Sequence, residues 1–149
     1  DWIALSIDSV DVTTNFQSGR RIGTKKSYSA TEYAQICKDI KSAGIRLKIN
    51  TVVHQLNKDE IMKNFILKTQ PERWKILKVL PIEGQNDLCI NDFIISDKDF
   101  NQYLFNNKIL ENHITICKES NDEMKGSYLM LDPAGRFFDN TNLDKWKQC

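Results

Sequence analysis

The chain has 149 residues, of which 40% are hydrophobic and 28% charged, and its net charge is +1. That composition suits one soluble globular domain, or part of one, with a core of useful size. Near-neutral charge excludes nucleic-acid or anionic-membrane binding by bulk electrostatics, so any anion site must come from local placement of cations. No apolar run is long enough to span a bilayer and no signal-peptide pattern is visible, so a cytoplasmic location is expected.

Residues 2–8, Trp-Ile-Ala-Leu-Ser-Ile-Asp, are predicted as a buried strand. An opening inside a strand, without an initiator Met, leads to the expectation of further sequence upstream. Residues 9–28 read as a long loop with Gly19, Gly23 and the basic pairs Arg20-Arg21 and Lys25-Lys26. Ser29-Ala-Thr-Glu32 is a capping-box pattern, which predicts a helix from near Ala30 to about Ser42 with Gly44 as terminator. Residues 45–53 are β-branched and alternating, and predict a second strand. Asn57-Lys-Asp-Glu60 reads as the start of the next helix, which runs to about Thr69, before Gln70-Pro71. Residues 73–80 are a third strand, ended by Pro81. Strands alternating with helical connectors of this length give parallel strands, so the class is α/β, as a barrel fragment or an open doubly wound sheet.

Residues 82–95 contain Glu83-Gly84, a polar loop and the apolar stretch Phe93-Ile94-Ile95. Ser96-Asp-Lys-Asp99 opens a helix to about Asn107, and residues 114–117 form a short strand. Residues 127–132, the turn Pro133-Ala-Gly135 and residues 136–139 make a β-hairpin, followed by an irregular tail over 140–149.

The four cysteines, Cys37, Cys89, Cys117 and Cys149, are scattered without a CxxC, which argues against a zinc or iron–sulfur ligand set. They read as reduced thiols, with Cys37 and Cys117 in the core. His54 and His113 stand alone, with no Ser/His/Asp order and no glycine-rich phosphate loop. The aromatics do not interleave with basic residues as a single-strand platform would, so no nucleic-acid partner is expected.

Side chains alternate between the faces of a strand. Arg46, Lys48 and Asn50 therefore share one face of the second strand, and Arg73 and Lys75 one face of the third. Ser6 and Asp8 share a face of the first. Strands of a parallel sheet are normally covered on both faces, and buried cations on neighbouring strands repel unless an anion meets them. A polyphosphate would satisfy them. The same alternation also fits a sheet with one face in water.

Several segments resemble the viperin family of radical S-adenosylmethionine enzymes: Ala4-Leu-Ser-Ile-Asp-Ser9, Gly19-Arg20, Leu47-Lys-Ile-Asn50, Pro71-Glu-Arg-Trp-Lys75, Ile82-Glu-Gly84, Glu119-Ser-Asn121 and Met124-Lys-Gly-Ser-Tyr128. They keep the family's order and spacing up to Phe138, after which the resemblance fades. It implies a partial (β/α) barrel, spanning residues 1–139 here, and two cofactors in the full-length enzyme, a [4Fe–4S] cluster and S-adenosylmethionine. The implied reaction starts with a 5′-deoxyadenosyl radical that removes a ribose hydrogen from a nucleoside triphosphate. Loss of the 3′-hydroxyl then gives a 3′-deoxy-3′,4′-didehydro nucleotide in antiviral defence. CTP is the first expectation for the substrate, with UTP and GTP as alternatives.

By position, the resemblance makes Lys48, Arg73 and Lys75 triphosphate ligands and puts Asn50 near the nucleotide sugar. It makes Ser6 and Arg20 contacts to S-adenosylmethionine, and Tyr128 the donor of a quenching hydrogen atom. Without it, Tyr128 reads as an aromatic anchor on a hairpin and Arg20 as a solvated loop charge. The family holds its cluster with a CxxxCxxC loop that this sequence lacks. The expectation is thus the carboxyl-terminal portion of the enzyme, without cluster or metal ligands, inactive alone and prone to self-association through an unpaired strand edge. The competing readings are a non-catalytic nucleotide-binding or protein-interaction module, and a radical enzyme of another substrate class.

Overall fold

The computed structural model describes residues 1–24, 26–81, 86, 88–109, 114–124, 129–131, 135 and 137–139. Strands β1 (Trp2–Ser6), β2 (Arg46–Val53), β3 (Arg73–Lys78) and β4 (Thr115–Glu119) form one parallel sheet in that order. Between β1 and β2 lie α1 (Val12–Gln17) and α2 (Ala30–Ser42), and between β2 and β3 lies α3 (Lys63–Thr69). A 3-10 turn at Ile90–Asp92 and α4 (Asp97–Asn106) separate β3 from β4. Helix α5 (Asn121–Met124) and the antiparallel hairpin β5 (Leu129–Leu131) and β6 (Phe137–Asp139) follow. Among the described residues no helix is long and apolar enough to cross a membrane.

One face of the sheet carries the core. Leu47, Ile49 and Val53 of β2 and Trp74 and Ile76 of β3 are buried there. The same cluster contains Tyr33 and Cys37 of α2, Phe65 and Ile66 of α3, and Phe100 and Tyr103 of α4. Tyr33 and Cys37 are four residues apart, so they form one stripe of α2, and burial pushes the Cys37 thiol up to about 11. The capping boxes at Ser29/Glu32 and Ser96/Asp99 both form and start α2 and α4 where their sequence patterns place them.

The first strand is shorter and more exposed than expected. It ends at Ser6 because side chains take over the ladder: Val52 donates its N–H to Asp8 Oδ1 (2.8 Å), and Thr51 Oγ1 donates to the Ile7 carbonyl (2.8 Å). It lies at the edge of the sheet, which leaves Trp2 45% exposed. The expected loop over 9–28 contains α1, capped by Asp11, whose Oδ1 accepts from Thr14 N (2.7 Å).

Asn57 does not start a helix. Its side chain ties the ends of β1 and β2 together, donating to the carbonyls of Asp8 (2.7 Å) and Val52 (2.9 Å) and accepting from His54 N (2.8 Å). Helix α3 begins only at Lys63, and its cap comes from far along the chain: buried Asn107 accepts from Met62 N (2.6 Å) and Lys63 N (2.9 Å). Cys117, expected in the core, is half-buried in β4, on the face opposite the helices. Glu83, Gly84, His113, Tyr128, Cys149 and the tail over 140–149 lie outside the described residues.

Candidate functional site

The face of the sheet opposite the core is polar. In the β1–β2–β3–β4 register, Ser6, Asn50, Lys75 and Cys117 are successive partners, and Ala4, Lys48, Arg73 and Thr115 form the row before them. Neighbouring strands lie about 4.8 Å apart, so Lys48 is set beside Arg73 and Asn50 beside Lys75. Four of the sequence-predicted site residues, Lys48, Asn50, Arg73 and Lys75, thus occupy one patch, and Ser6 borders it. Asn50 is partly buried, and its Oδ1 has no hydrogen-bond partner. Lys75 is ion-paired with Glu119 (2.6 Å) at the edge strand, a partner the sequence did not reveal. The register explains the pair: Lys75 partners Cys117, and Glu119 lies two residues further on the same face.

Arg20 reaches the site by a different route. Its backbone is held on both sides, with Arg20 N–H donating to the Asn15 carbonyl (2.8 Å) and Ser27 Oγ donating to the Arg20 carbonyl (2.8 Å). Asn15 is fully buried and is itself tied to the Ser9 carbonyl (2.8 Å). Gly19 supplies the left-handed turn before it (φ +84°). The side chain pairs through Nε with buried Asp8 (2.5 Å) and remains 39% exposed. Arg20 is therefore not a solvated loop charge. It lines a cavity of 430 Å³ together with Ser6, Gly19, Tyr28 and Tyr33, so the two residues expected to contact S-adenosylmethionine share one cavity.

A second cavity, of 270 Å³, opens at the carboxyl ends of β1–β3 and shares Gly19 and Arg20 with the first. It is lined by Asp8, Val52, His54, Val79 and Phe93, among others. His54 Nδ1 accepts from Leu56 N (3.2 Å), so the neutral ring carries its proton on Nε2, which is buried without a partner. Burial lowers the His54 pKa from its ordinary value, partly offset by the Asp8 carboxylate. His54 had read as an isolated histidine; that the β2 strand end delivers it to this cavity could not be seen from its spacing.

A parallel sheet with helices on its apolar face and Lys48, Arg73 and Lys75 on the other defines an α/β protein with a polar, cation-bearing sheet face. The chain is 51% identical over 140 residues to an S-adenosylmethionine-dependent nucleotide dehydratase of Lacinutrix mariniflava, a match covering 94% of this chain and 29% of that protein. It is 44% identical over 142 residues to a dehydratase of the same name from Flammeovirga pacifica, covering 95% and 48%. It is 36% identical over 148 residues to the S-adenosylmethionine-dependent nucleotide dehydratase RSAD2 of Oncorhynchus mykiss, covering 93% and 40%. No protein-family model matches the chain. The chain belongs to the viperin-like family of S-adenosylmethionine-dependent nucleotide dehydratases, and it spans less than half the length of these three relatives.

Proposed function

We propose that the chain is the substrate-binding portion of a radical S-adenosylmethionine nucleotide dehydratase. The observation that carries this reading is the in-register pairing of Lys48 with Arg73 and of Asn50 with Lys75, in a chain whose relatives bear that name. The sheet is then part of a partial (β/α) barrel over residues 1–139, with 140–149 as a tail, in a cytoplasmic protein of antiviral defence. The substrate is a nucleoside triphosphate, CTP before UTP or GTP, and the product its 3′-deoxy-3′,4′-didehydro analogue.

In this reading Lys48, Arg73 and Lys75 hold phosphate oxygens through charge-assisted hydrogen bonds. Glu119 occupies Lys75 until the anion arrives. Asn50 Oδ1, buried and unpartnered, accepts from a sugar hydroxyl. Ser6 and Arg20 hold S-adenosylmethionine: with Nε on Asp8, the Arg20 terminal nitrogens suit a carboxylate. S-adenosylmethionine held there would supply hydrogen-abstracting chemistry toward the ribose, together with a cluster whose ligands are not among the described residues. Tyr128 returns a hydrogen atom. A cluster does not fit the described residues: Cys37 is buried on the core side of α2, Cys117 lies on β4 and Cys89 beside the 3-10 turn, and no group of three potential ligands gathers among them. The chain alone is therefore expected to be inactive.

The test joins the chain to an upstream CxxxCxxC segment, reconstitutes the cluster anaerobically and measures 5′-deoxyadenosine. Formation only on addition of a nucleoside triphosphate, greatest with CTP, is expected; formation indifferent to nucleotide removes the substrate assignment. Among the described residues β1 and β4 are sheet edges, each with one strand neighbour. Such edges template pairing with another chain. Light scattering should accordingly show self-association of the isolated chain, and a compact monomer with a sharp melting transition would contradict it.

A further inference from the structure

Trp2 carries two guanidinium groups on its ring. Arg46 Cζ lies 3.9 Å from the indole centroid and Arg73 Cζ 5.6 Å. Trp2 and Arg46 are register partners, and Arg73 partners Lys48, two residues further along β2, so all four stand on the same open face. Neither arginine has a carboxylate partner among the described residues, whereas Arg20 and Lys75 each have one. Two guanidiniums gathered on one ring repel each other. A cation–π contact at an exposed site contributes only about 0.5–1 kcal/mol. An exposed tryptophan with two unneutralised cations is an arrangement completed by a shared anion, which a planar guanidinium meets through paired donors.

We infer that Arg46 is a further phosphate ligand, and that Trp2 is a positioning residue holding Arg46 and Arg73 as a clamp for the terminal phosphoryl group of a nucleoside triphosphate. This rests on the triphosphate reading above. The direction follows from order along the strands. Asn50 and Lys75 lie near the middle of their strands, Lys48 and Arg73 two residues nearer the amino ends, and Arg46 and Trp2 at the amino ends of β2 and β1. With the sugar at Asn50, the phosphate chain runs toward Arg46.

The test is calorimetric titration of the 149-residue chain with CTP, CDP and CMP. Arg46→Ala should weaken CTP about tenfold, as loss of one charge-assisted contact does, and leave CMP within about twofold. Arg46→Lys should recover only part of the loss, because it keeps the charge but not the planar fork. Trp2→Ala should weaken CTP about fivefold and Trp2→Phe should restore it, since phenylalanine keeps a π face. Trp2→Leu should not restore it. In an Arg46→Ala/Arg73→Ala background, Trp2→Ala should have no further effect. Unchanged CTP affinity in Arg46→Ala and Trp2→Ala, alongside a loss in Lys48→Ala, overturns the clamp and leaves the triphosphate reading standing. Equal rescue by leucine and phenylalanine overturns the positioning role. No preference for CTP over CMP in the unaltered chain overturns both readings together.

Discussion

Replacing Lys48 by alanine is expected to weaken nucleoside triphosphate binding by about 10- to 100-fold, the loss of one strong charge-assisted contact. Monophosphate binding should fall by no more than about threefold, because a single phosphate does not need the whole row. Lys48 is partly buried beside Arg73 and has no carboxylate partner among the described residues. Its charge therefore opposes that of its neighbour in the free protein. Removing it should leave the melting temperature of the free chain unchanged or raised, while the stabilisation added by triphosphate shrinks. Lys75→Ala should act in the same direction but more weakly, since ligand must displace Glu119 from Lys75 (2.6 Å) and so recovers less from that contact. Alanine at 75 also strips Glu119 of this partner, so Lys75→Ala should lower the stability of the free chain where Lys48→Ala does not. Titration calorimetry and thermal melts separate these effects, and equal losses for tri- and monophosphate would refute a triphosphate row. The contact is electrostatic and partly exposed, so the discrimination should narrow as salt rises.

How much of this was legible depended on how local the signal was. The capping boxes at Ser29 and Ser96, and the alternation through Leu47, Ile49 and Val53, are complete within a few residues, and the elements they predict are present. The polar rows were legible for the same reason, since period-two alternation fixes a face whatever the strand pairs with. Asn57 and Asn107 were not. Each carries a helix-cap or turn signature in sequence, but each is drawn into bonds reaching more than 40 residues away, Asn57 to Asp8 and Asn107 to Met62. Asp8 likewise reads as a strand residue and acts as an adapter, taking Val52 N–H on one oxygen and Arg20 on the other. Lys75 with Glu119, and Trp2 beneath Arg46 and Arg73, needed the register between strands. Alternation supplies the face but not the register, which is set by the whole packed sheet.

Trp74→Ala should be the most destabilising single change, at about 3–5 kcal/mol, in a chain whose size class is stable by only about 5–15 kcal/mol. Trp74 is fully buried at the centre of the core face and packs among residues of β2, α2 and α3. It also closes a polar relay across three segments. Its indole N–H donates to Thr51 Oγ1 (3.0 Å), and Thr51 donates to the Ile7 carbonyl (2.8 Å), where β1 has already left the ladder. Two smaller substitutions separate packing from relay. Trp74→Phe keeps most of the apolar contact and leaves the Thr51–Ile7 bond intact, and should cost about 1–2 kcal/mol. Thr51→Val keeps the volume but leaves a buried indole N–H and a buried carbonyl without partners, and should cost about 2–4 kcal/mol, since each orphaned group costs about 1–3 kcal/mol. Adding Trp74→Phe to Thr51→Val removes the orphaned donor, so the double variant should be less destabilised than the sum of the two singles. Urea unfolding of the four proteins gives the coupling. If the two costs simply add, Trp74 holds the sheet by volume alone, and the Thr51 hydroxyl is incidental to how β1 is fastened to β2.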